Sequence, residues 1–215
     1  MELDDLKRVV DALRYAPEPP KSVSGPDLTK RVGFECEYFV LDESDKLVLP
    51  KGVPIDECGY LTEARGVPHG DSFEAAFSML AATARIKRDL AIEKMKLLMS
   101  ECTIVLPAGL KQEASRNFGK GPVPATRGNL YGLSYAPGDK WDRAGLHVHF
   151  SNRDREMAKI VLALDAKFIK QIREARRLRG FYEWKSHGFE YRSLPSTINV
   201  EEVAEFIQYD MLKAK

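Results

Sequence analysis

The chain has few cysteines and no long apolar run. Its three cysteines, Cys36, Cys58 and Cys102, are spread over 215 residues, and their spacing matches no metal-ligand pattern, which favours a reducing compartment. No apolar segment approaches the roughly 20 residues needed to span a bilayer. The opening segment is acidic and amphipathic rather than basic and then apolar, so it does not have the form of a secretory signal. These features predict a soluble, cytoplasmic protein.

The chain also lacks an excess of either charge. Lys and Arg number 33 and Asp and Glu number 32, which gives a formal net charge of +1. This balance offers no reason to expect nucleic acid or an anionic membrane as a partner. Two catalytic signatures are missing from the sequence, the nucleophile motif GxSxG and the phosphate loop GxxxxGKS/T. The sequence therefore assigns no protein nucleophile and no P-loop.

Hydrophobic residues make up 44% of the chain, which is enough for one core. Residues 1–26 are predicted to be an appendage, with a helical pattern over residues 3–15 and a linker rich in Pro, Ser and Gly. The remaining body, residues 27–215, is predicted to be one domain.

Within the body, apolar periodicity predicts helices over 72–99, 154–178 and about 200–212. The first helix is expected to bury the face that carries Phe73, Phe77, Leu80, Ala84, Ala91, Met95 and Leu98. Alternation predicts strands in VGFECEYFVLD, DECGYLTEARG, CTIVLP, AGLHVHFS and FEYRSLP, while 109–143 reads as a long loop and a candidate lid. Because strands and long helices do not alternate as βαβ units, we expect an antiparallel α+β fold.

Three of the predicted strands carry charged or imidazole side chains along one face. The pairs are Glu35 and Glu37, His147 and His149, and Glu190 and Arg192. Successive same-face positions lie about 6.5–7 Å apart, so two glutamates in this arrangement suit two neighbouring cations better than one. Each pair alone also fits the solvent-facing side of a half-buried strand. Together they favour a metal site, because glutamate is depleted in strands and close like charges repel unless a cation intervenes.

The residue types narrow the choice of metal. The predicted strand over 56–66 adds Glu63 and Arg65 to the polar set. Carboxylate oxygens with one or two imidazoles favour Mg²⁺ or Mn²⁺, whereas Zn²⁺ recruits cysteine or more histidine.

Basic residues gather just before the last predicted strand. They are Arg173, Arg176, Arg177, Arg179 and Lys185. At a helix terminus such cations are favoured by the helix dipole. Next to a divalent metal they would also suit a clamp on phosphate oxygens.

The order of these motifs resembles the catalytic fold of glutamine synthetase and its relatives, which include the glutamate–cysteine ligases and the wider carboxylate–amine ligases, or amidoligases. The likeness is greatest to short phage-type COOH–NH2 ligases of type 2. It rests on GFECEYFVLD, DECGYLTEARG, AGLHVHFS and ARRLRGFYEWKSHGFEYRSLPS, and it covers about residues 31–198. The resemblance implies a curved antiparallel β-sheet of glutamine-synthetase catalytic type, packed by two long helices, in an amidoligase-like domain over residues 27–215. The small domain that builds the synthetase ring is missing, so ring assembly is not implied.

The resemblance also implies a site for two divalent ions, Mg²⁺ or Mn²⁺. Glu35 and Glu37 would each ligate one ion. Glu63 would complete the first site with Asp56, although the shorter acidic hairpin leaves open whether Asp56 or Glu57 faces the metal. The second site would join Glu37 to His147 and Glu190.

Further roles follow from the same resemblance. Arg192, Arg177 and Lys185 would be catalytic and would hold the transferring phosphoryl group. Arg176 would join these three in binding the nucleotide. His149 would contact the substrate or support a ligand. Separately from the resemblance, Arg127 and Asn129 are weaker candidates for substrate contact because they lie in the candidate lid.

The implied activity is ATP-dependent ligation of a carboxylate to an amine. ATP would phosphorylate the carboxylate to an acyl phosphate, which the amine would attack to form an amide or peptide bond. The expected partners are small-molecule or peptide carboxylates and amines. Two alternatives stay open: a phosphotransferase of related fold, and a non-catalytic nucleotide-binding or structural module.

Overall fold

The computed structural model of the protein describes residues 30–118 and 126–211. These residues form a mixed α+β fold with a mostly antiparallel open sheet and four α-helices, which confirms the predicted fold class at that level. The predicted helix and linker over residues 1–26 lie outside the described residues. None of the helices in the described ranges combines the length and the apolar character that a bilayer crossing requires.

The main sheet has eight strands arranged around a long first strand. The strands are β1 (Val32–Asp42), β2 (Leu47–Val48), β3 (Thr62–Arg65), β4 (Met95–Leu98), β6 (Arg127–Asn129), β8 (Gly145–Ser151), β9 (Phe181–Lys185) and β10 (Gly188–Pro195). β1 pairs with β3 and β8 through its first half and with β2 and β4 through its second half. Beyond β8 the order continues through β10 and β9 to β6. The polar-faced strands β3, β1, β8, β10 and β9 therefore lie side by side.

The apolar faces of these strands are buried against two helices, α1 (Ser72–Ile92) and α3 (Met157–Glu174). On β1, Phe34, Cys36 and Tyr38 are buried, as the alternation predicts. The predicted face of α3 is also confirmed. Its buried residues include Met157, Ile160, Val161, Leu164, Phe168 and Ile172.

The predicted face of α1 is wrong. The helix buries Ala75, Ala76, Met79, Ala82, Ile86 and Leu90, whereas Phe77 is 59% exposed. The reason is a close approach of the helix backbone to the chain after β3. A Cβ added at Gly66 would lie 2.9 Å from the backbone nitrogen of Met79 and 3.0 Å from the carbonyl oxygen of Ala75, so the face that carries Ala75 and Met79 is the one packed against the chain after β3.

α1 begins as predicted but ends earlier. At its start, the Asp71 side chain caps the first turn by accepting hydrogen bonds from the backbone N–H groups of Phe73 and Glu74. The helix ends at Ile92 instead of residue 99, because Lys94 takes a left-handed conformation with φ of 56°. Met95–Leu98 then turns back as β4 and pairs with β1.

Other predicted elements are shorter than expected or are divided into two. The 154–178 helix is a 3₁₀ turn followed by α3, and the 200–212 helix is α4 (Val200–Phe206) followed by a π-helical turn. The 109–143 segment is not one loop, since it contains most of α2 (Ala108–Phe118), all of β6, and β7 (Asp142–Arg143). β9 was not predicted as a strand at all.

A second, smaller apolar cluster lies on the opposite side of β1. Its buried members are Phe39, Leu61, Cys102, Ile104, Leu106 and Ala144, and Leu110 of α2 packs against them. The ribbon of β5 (Thr103–Ile104) and β7 belongs to the same region. This cluster fixes α2 on the polar side of the sheet, where it borders the cleft described below.

We expect Asp165, which is buried on α3, to make stability depend on pH. Its Oδ1 accepts hydrogen bonds from the Tyr191 hydroxyl at 2.6 Å and the Gly180 N–H at 3.1 Å. Burial raises the pKa of Asp165 from 3.8 to about 6, although both hydrogen bonds oppose the rise. The folded protein therefore binds a proton between pH 4 and 6 that the unfolded chain releases. Stability from this group falls as the pH rises through that window, by on the order of 3 kcal/mol.

The test compares the native protein with Asp165→Asn by urea unfolding at pH 4.5, 5.5 and 7. The asparagine does not titrate, so the stability of the native protein relative to the variant is expected to fall with rising pH. Parallel pH profiles for the two proteins would show that Asp165 is not protonated in the folded state.

Candidate functional site

The strand register brings the polar residues of five strands to one place. Opposed pairs across neighbouring strands are Glu35 with His147, Glu37 with Glu63, and Glu190 with both His149 and Glu183. Their side chains lie on the face of the sheet away from α1 and α3, where a cleft of about 840 Å³ opens. The sequence pattern predicted this convergence, and the predicted polar faces do meet.

Two groups of side chains in and beside this cleft have the spacing of metal ligands. One contains Glu35, Glu63 and His147, and the other contains Glu35, His149 and Glu190. In each group the candidate ligand atoms lie within 4.8 Å of one another. Glu35 belongs to both groups, so two ions held by them would be neighbours that share one carboxylate.

These groups differ from the ligand sets that the resemblance implies. Glu37 is in neither group, because its Oε2 accepts a hydrogen bond from the Gly145 backbone N–H at 2.7 Å. Asp56 and Glu57 both line the cleft but belong to neither group, and Asp56 accepts a hydrogen bond from the Cys58 backbone N–H at 3.2 Å. His149, expected only as a supporting residue, takes part in the second group.

Unsatisfied polar atoms show that the groups fit a cation. Nδ1 of His147 and Nε2 of His149 are buried and have no hydrogen-bond partner among the described residues. Oε2 of Glu190 is also buried without a hydrogen bond, but the Lys185 ammonium lies 2.9 Å from it. His147 Nδ1 does lie 2.9 Å from Glu190 Oε1, and His149 Nε2 lies 3.2 Å from Glu35 Oε1, but neither contact has hydrogen-bond geometry. An orphaned buried polar atom costs about 1–3 kcal/mol. A divalent ion would satisfy the nitrogens and the carboxylate oxygens together.

The carboxylates of the site titrate abnormally because they are close together and removed from solvent. Burial opposes the ionisation of Glu190, but His147 and then Arg192 outweigh it and hold its pKa far below the usual range. Burial and the nearby Glu35 carboxylate raise the pKa of Glu63 despite its contact with Arg65. For Glu35 burial also favours the neutral form, yet the adjacent His149 imidazole lowers its pKa. Glu35 and Glu63 thus hold a proton where a metal ion would place positive charge.

Basic side chains form a second layer at the cleft around Glu183, a buried carboxylate of β9. Lys185 Nζ lies 2.6 Å from Glu183 Oε1 and 2.9 Å from Glu190 Oε2. Arg127 Nη2 lies 2.7 Å from Glu183 Oε2, and Arg192 contacts both Glu183 and Glu190. Glu183 therefore holds three basic side chains, those of Arg127, Lys185 and Arg192, beside the two metal-ligand groups.

Sequence reasoning missed Glu183 because it missed β9. The signal was present in FYEWK, where Phe181, Glu183 and Lys185 alternate with the buried aromatic residues Tyr182 and Trp184. The alternation was concealed by the neighbouring arginine-rich segment.

The structure places Lys185 and Arg192 in the cleft lining but not Arg176 or Arg177. The Arg177 guanidinium donates to three backbone carbonyls, those of Ala144, Arg192 and Ser193, at 2.7–3.1 Å. Arg176 is exposed and stacks over the Trp141 ring at 4.3 Å. Both were expected to bind phosphate, but in this structure Arg177 ties the end of α3 to β10 and Arg176 lies outside the cleft.

No family model, curated protein or solved structure matches this chain. The likeness to amidoligases therefore rests on the quoted motifs.

We expect Mn²⁺ to stabilise the native protein through the two ligand groups. At a concentration 100-fold above the dissociation constant, a bound ion adds about 2.7 kcal/mol, which raises the Tm of a chain of this size by about 5–10 °C. Glu35→Gln is expected to abolish most of this shift, because Glu35 belongs to both groups. The matched control Glu205→Gln, at an exposed position on α4, is expected to keep the full shift. Equal shifts in both variants would contradict the metal centre.

The Mn²⁺ affinity is also expected to depend on pH. Since Glu63 has a raised pKa and must lose its proton to bind a metal, binding releases a proton and weakens as the pH falls from 8 to 6. Isothermal titration in two buffers of different ionisation enthalpy measures that proton release. An affinity that is flat over this range would indicate that Glu63 is already ionised without the metal.

Arg177→Lys separates a structural role from phosphate binding. The single ammonium group of lysine cannot reproduce the three hydrogen bonds that the guanidinium donates to backbone carbonyls. The free energy of unfolding is therefore expected to fall by on the order of 3 kcal/mol even without nucleotide. Arg192→Lys keeps a positive charge beside Glu190 and is expected to cost less in a matched urea titration. Equal, small losses would show that the Arg177 contacts contribute little.

Proposed function

We propose that the cleft binds ATP with two divalent cations and that the protein is an ATP-dependent carboxylate–amine ligase. One observation carries this proposal: two metal-ligand groups share Glu35 directly beside a layer of lysine and arginine side chains. A triphosphate needs both components, because divalent ions bridge its oxygens and basic side chains neutralise charge on the transferred group. The antiparallel sheet and the order of the polar strands support the further proposal of a glutamine-synthetase-type catalytic fold packed by two long helices.

The residues present suit Mg²⁺ or Mn²⁺ in both groups. Glu35, Glu63 and His147 would hold one ion, and Glu35, His149 and Glu190 would hold the other. When bound, the ions would polarise the phosphoryl oxygens and align the triphosphate for in-line transfer. The carboxylate-rich donor set favours these hard ions over Zn²⁺.

Arg192 and Lys185 are the best candidates to contact the transferring phosphoryl group. Both face the cleft and are fixed by Glu183 and Glu190, so their charges are positioned before the substrate binds. Such preorganised charge favours the transition state over the ground state. Arg65, 2.6 Å from Glu63 Oε2 and 64% exposed, lies on the open side of the cleft, where it would reach a phosphate oxygen.

The chemistry requires no protein nucleophile. A substrate carboxylate oxygen would attack the γ-phosphorus to give an acyl phosphate and ADP. The amine would then attack the acyl carbon, release phosphate and lose a proton to form the amide. Among the described residues Cys58 is the cysteine that lines the cleft, and burial, followed by the charge of Asp56, raises the pKa of its thiol strongly. A neutral thiol is a poor nucleophile, which agrees with transfer directly between substrates.

The test is a pooled screen of amino acids, small acids and amines for metal-dependent ADP release, followed by mass spectrometry of the product. The proposal predicts an amide together with free phosphate. Arg192→Gln is expected to lower kcat by about 10²–10³, while Glu205→Gln leaves it unchanged. A phosphorylated acceptor without amide would instead support the phosphotransferase. Nucleotide binding that Glu35→Gln does not alter, with no ADP from any mixture, would support the non-catalytic module.

A further inference from the structure

Two histidines approach each other at the outer edge of the second metal-ligand group. His149 is on β8, and His187 lies in the hairpin turn between β9 and β10. The distance from His149 Nδ1 to His187 Nε2 is 3.3 Å, and the ring planes are inclined by 41°. His187 is exposed and opens the pair to solvent, while on the other edge of the His149 ring Nε2 lies 3.2 Å from Glu35 Oε1.

The separation of the two nitrogens equals the spacing of ligands on a tetrahedral ion. With Zn–N bonds of 2.0–2.1 Å, two imidazole nitrogens on one Zn²⁺ lie about 3.3–3.4 Å apart. The same contact also has hydrogen-bond geometry, in which either ring can donate, so an ion bound between the two nitrogens would replace this hydrogen bond. Both rings are held on paired strands or their connecting turn, so little rearrangement is needed to bind an ion.

We propose that His149 and His187 form a surface site for a borderline divalent ion of the Zn²⁺ class, distinct from the carboxylate-rich centre. Imidazole nitrogen suits Zn²⁺, Ni²⁺ and Cu²⁺, whereas Mg²⁺ prefers oxygen. Water would complete the coordination, since the described residues supply two ligands. The site is therefore expected to be open and readily exchangeable.

The shared histidine couples this site to the cleft. In a neutral imidazole one nitrogen has an in-plane lone pair that can bind a metal, and the other nitrogen carries a proton. If His149 binds the surface ion through Nδ1, its Nε2 is protonated and cannot ligate an ion in the group with Glu35 and Glu190. An ion in that group requires the opposite tautomer, with the Nδ1 proton directed to His187. Occupation of the surface site thus excludes the cleft ion that depends on His149, a consequence that rests on the proposed metal centre.

The experiment titrates Zn²⁺ into the native protein, His187→Gln and the control His69→Gln by isothermal calorimetry. His69 is another exposed histidine, and its Nδ1 accepts a hydrogen bond from the Asp71 backbone N–H. His187→Gln is expected to weaken the surface Zn²⁺ site at least about tenfold, with His69→Gln unchanged. Co²⁺ in place of Zn²⁺ is expected to give the intense visible absorption of tetrahedral coordination in the native protein only. Native-like Zn²⁺ binding and Co²⁺ absorption in His187→Gln would overturn the site.

A second titration measures Mn²⁺ binding with and without Zn²⁺. We expect Zn²⁺ to remove one Mn²⁺ equivalent from the native protein, and at least about ten times more Zn²⁺ to be needed in His187→Gln. Equal sensitivity of the two proteins would overturn the coupling, since Zn²⁺ would then act directly in the cleft. Absence of Mn²⁺ binding to the native protein would overturn the carboxylate centre instead, and the His187-dependent Zn²⁺ titration would still decide the surface site.

Discussion

Repulsion among carboxylates that face one another across the sheet is the constraint on which the site depends. Glu63 and Glu190 are buried, and Glu35, half-buried between them, has its side chain 19% exposed. Close, desolvated negative charges cannot all ionise unless protons, basic side chains or metal ions compensate for them. Here a proton on the pair of Glu35 and Glu63, together with the neighbouring lysine and arginine side chains, provides part of that compensation. The unsatisfied imidazole nitrogens indicate where further positive charge would be accepted.

The arrangement of the sheet produces this concentration of charge. β1 is long enough to pair with β3 and β8 on its two edges, and the two pairings overlap at Glu35 and Cys36. Antiparallel pairing places side chains of one face directly opposite each other at short distance. Because the apolar face packs against α1 and α3, the polar side chains of the five strands lie together on the face that carries the cleft. The same alternation that builds the core therefore builds the cleft.

The sequence predicted features that depend on local alternation and missed those that depend on packing. The polar faces of β1, β8 and β10 and the buried face of α3 followed from periodicity alone. The buried face of α1 did not, because it is set by the close approach of Gly66 to the part of the helix that carries Ala75 and Met79. The end of α1 depends on the left-handed backbone conformation of Lys94, which no sequence motif predicts. Arg177 was expected among phosphate ligands because its charge was visible in the sequence, whereas its three carbonyl partners lie on other elements.

The central claim is that two divalent ions bind side by side and share Glu35. Electron paramagnetic resonance of the protein loaded with two equivalents of Mn²⁺ tests it most directly, because neighbouring Mn²⁺ ions couple magnetically and isolated ions do not. The account predicts a coupled spectrum that reverts to the hyperfine pattern of isolated Mn²⁺ when Glu35 is replaced by glutamine. Two bound ions with the spectrum of isolated Mn²⁺ in the native protein would contradict it.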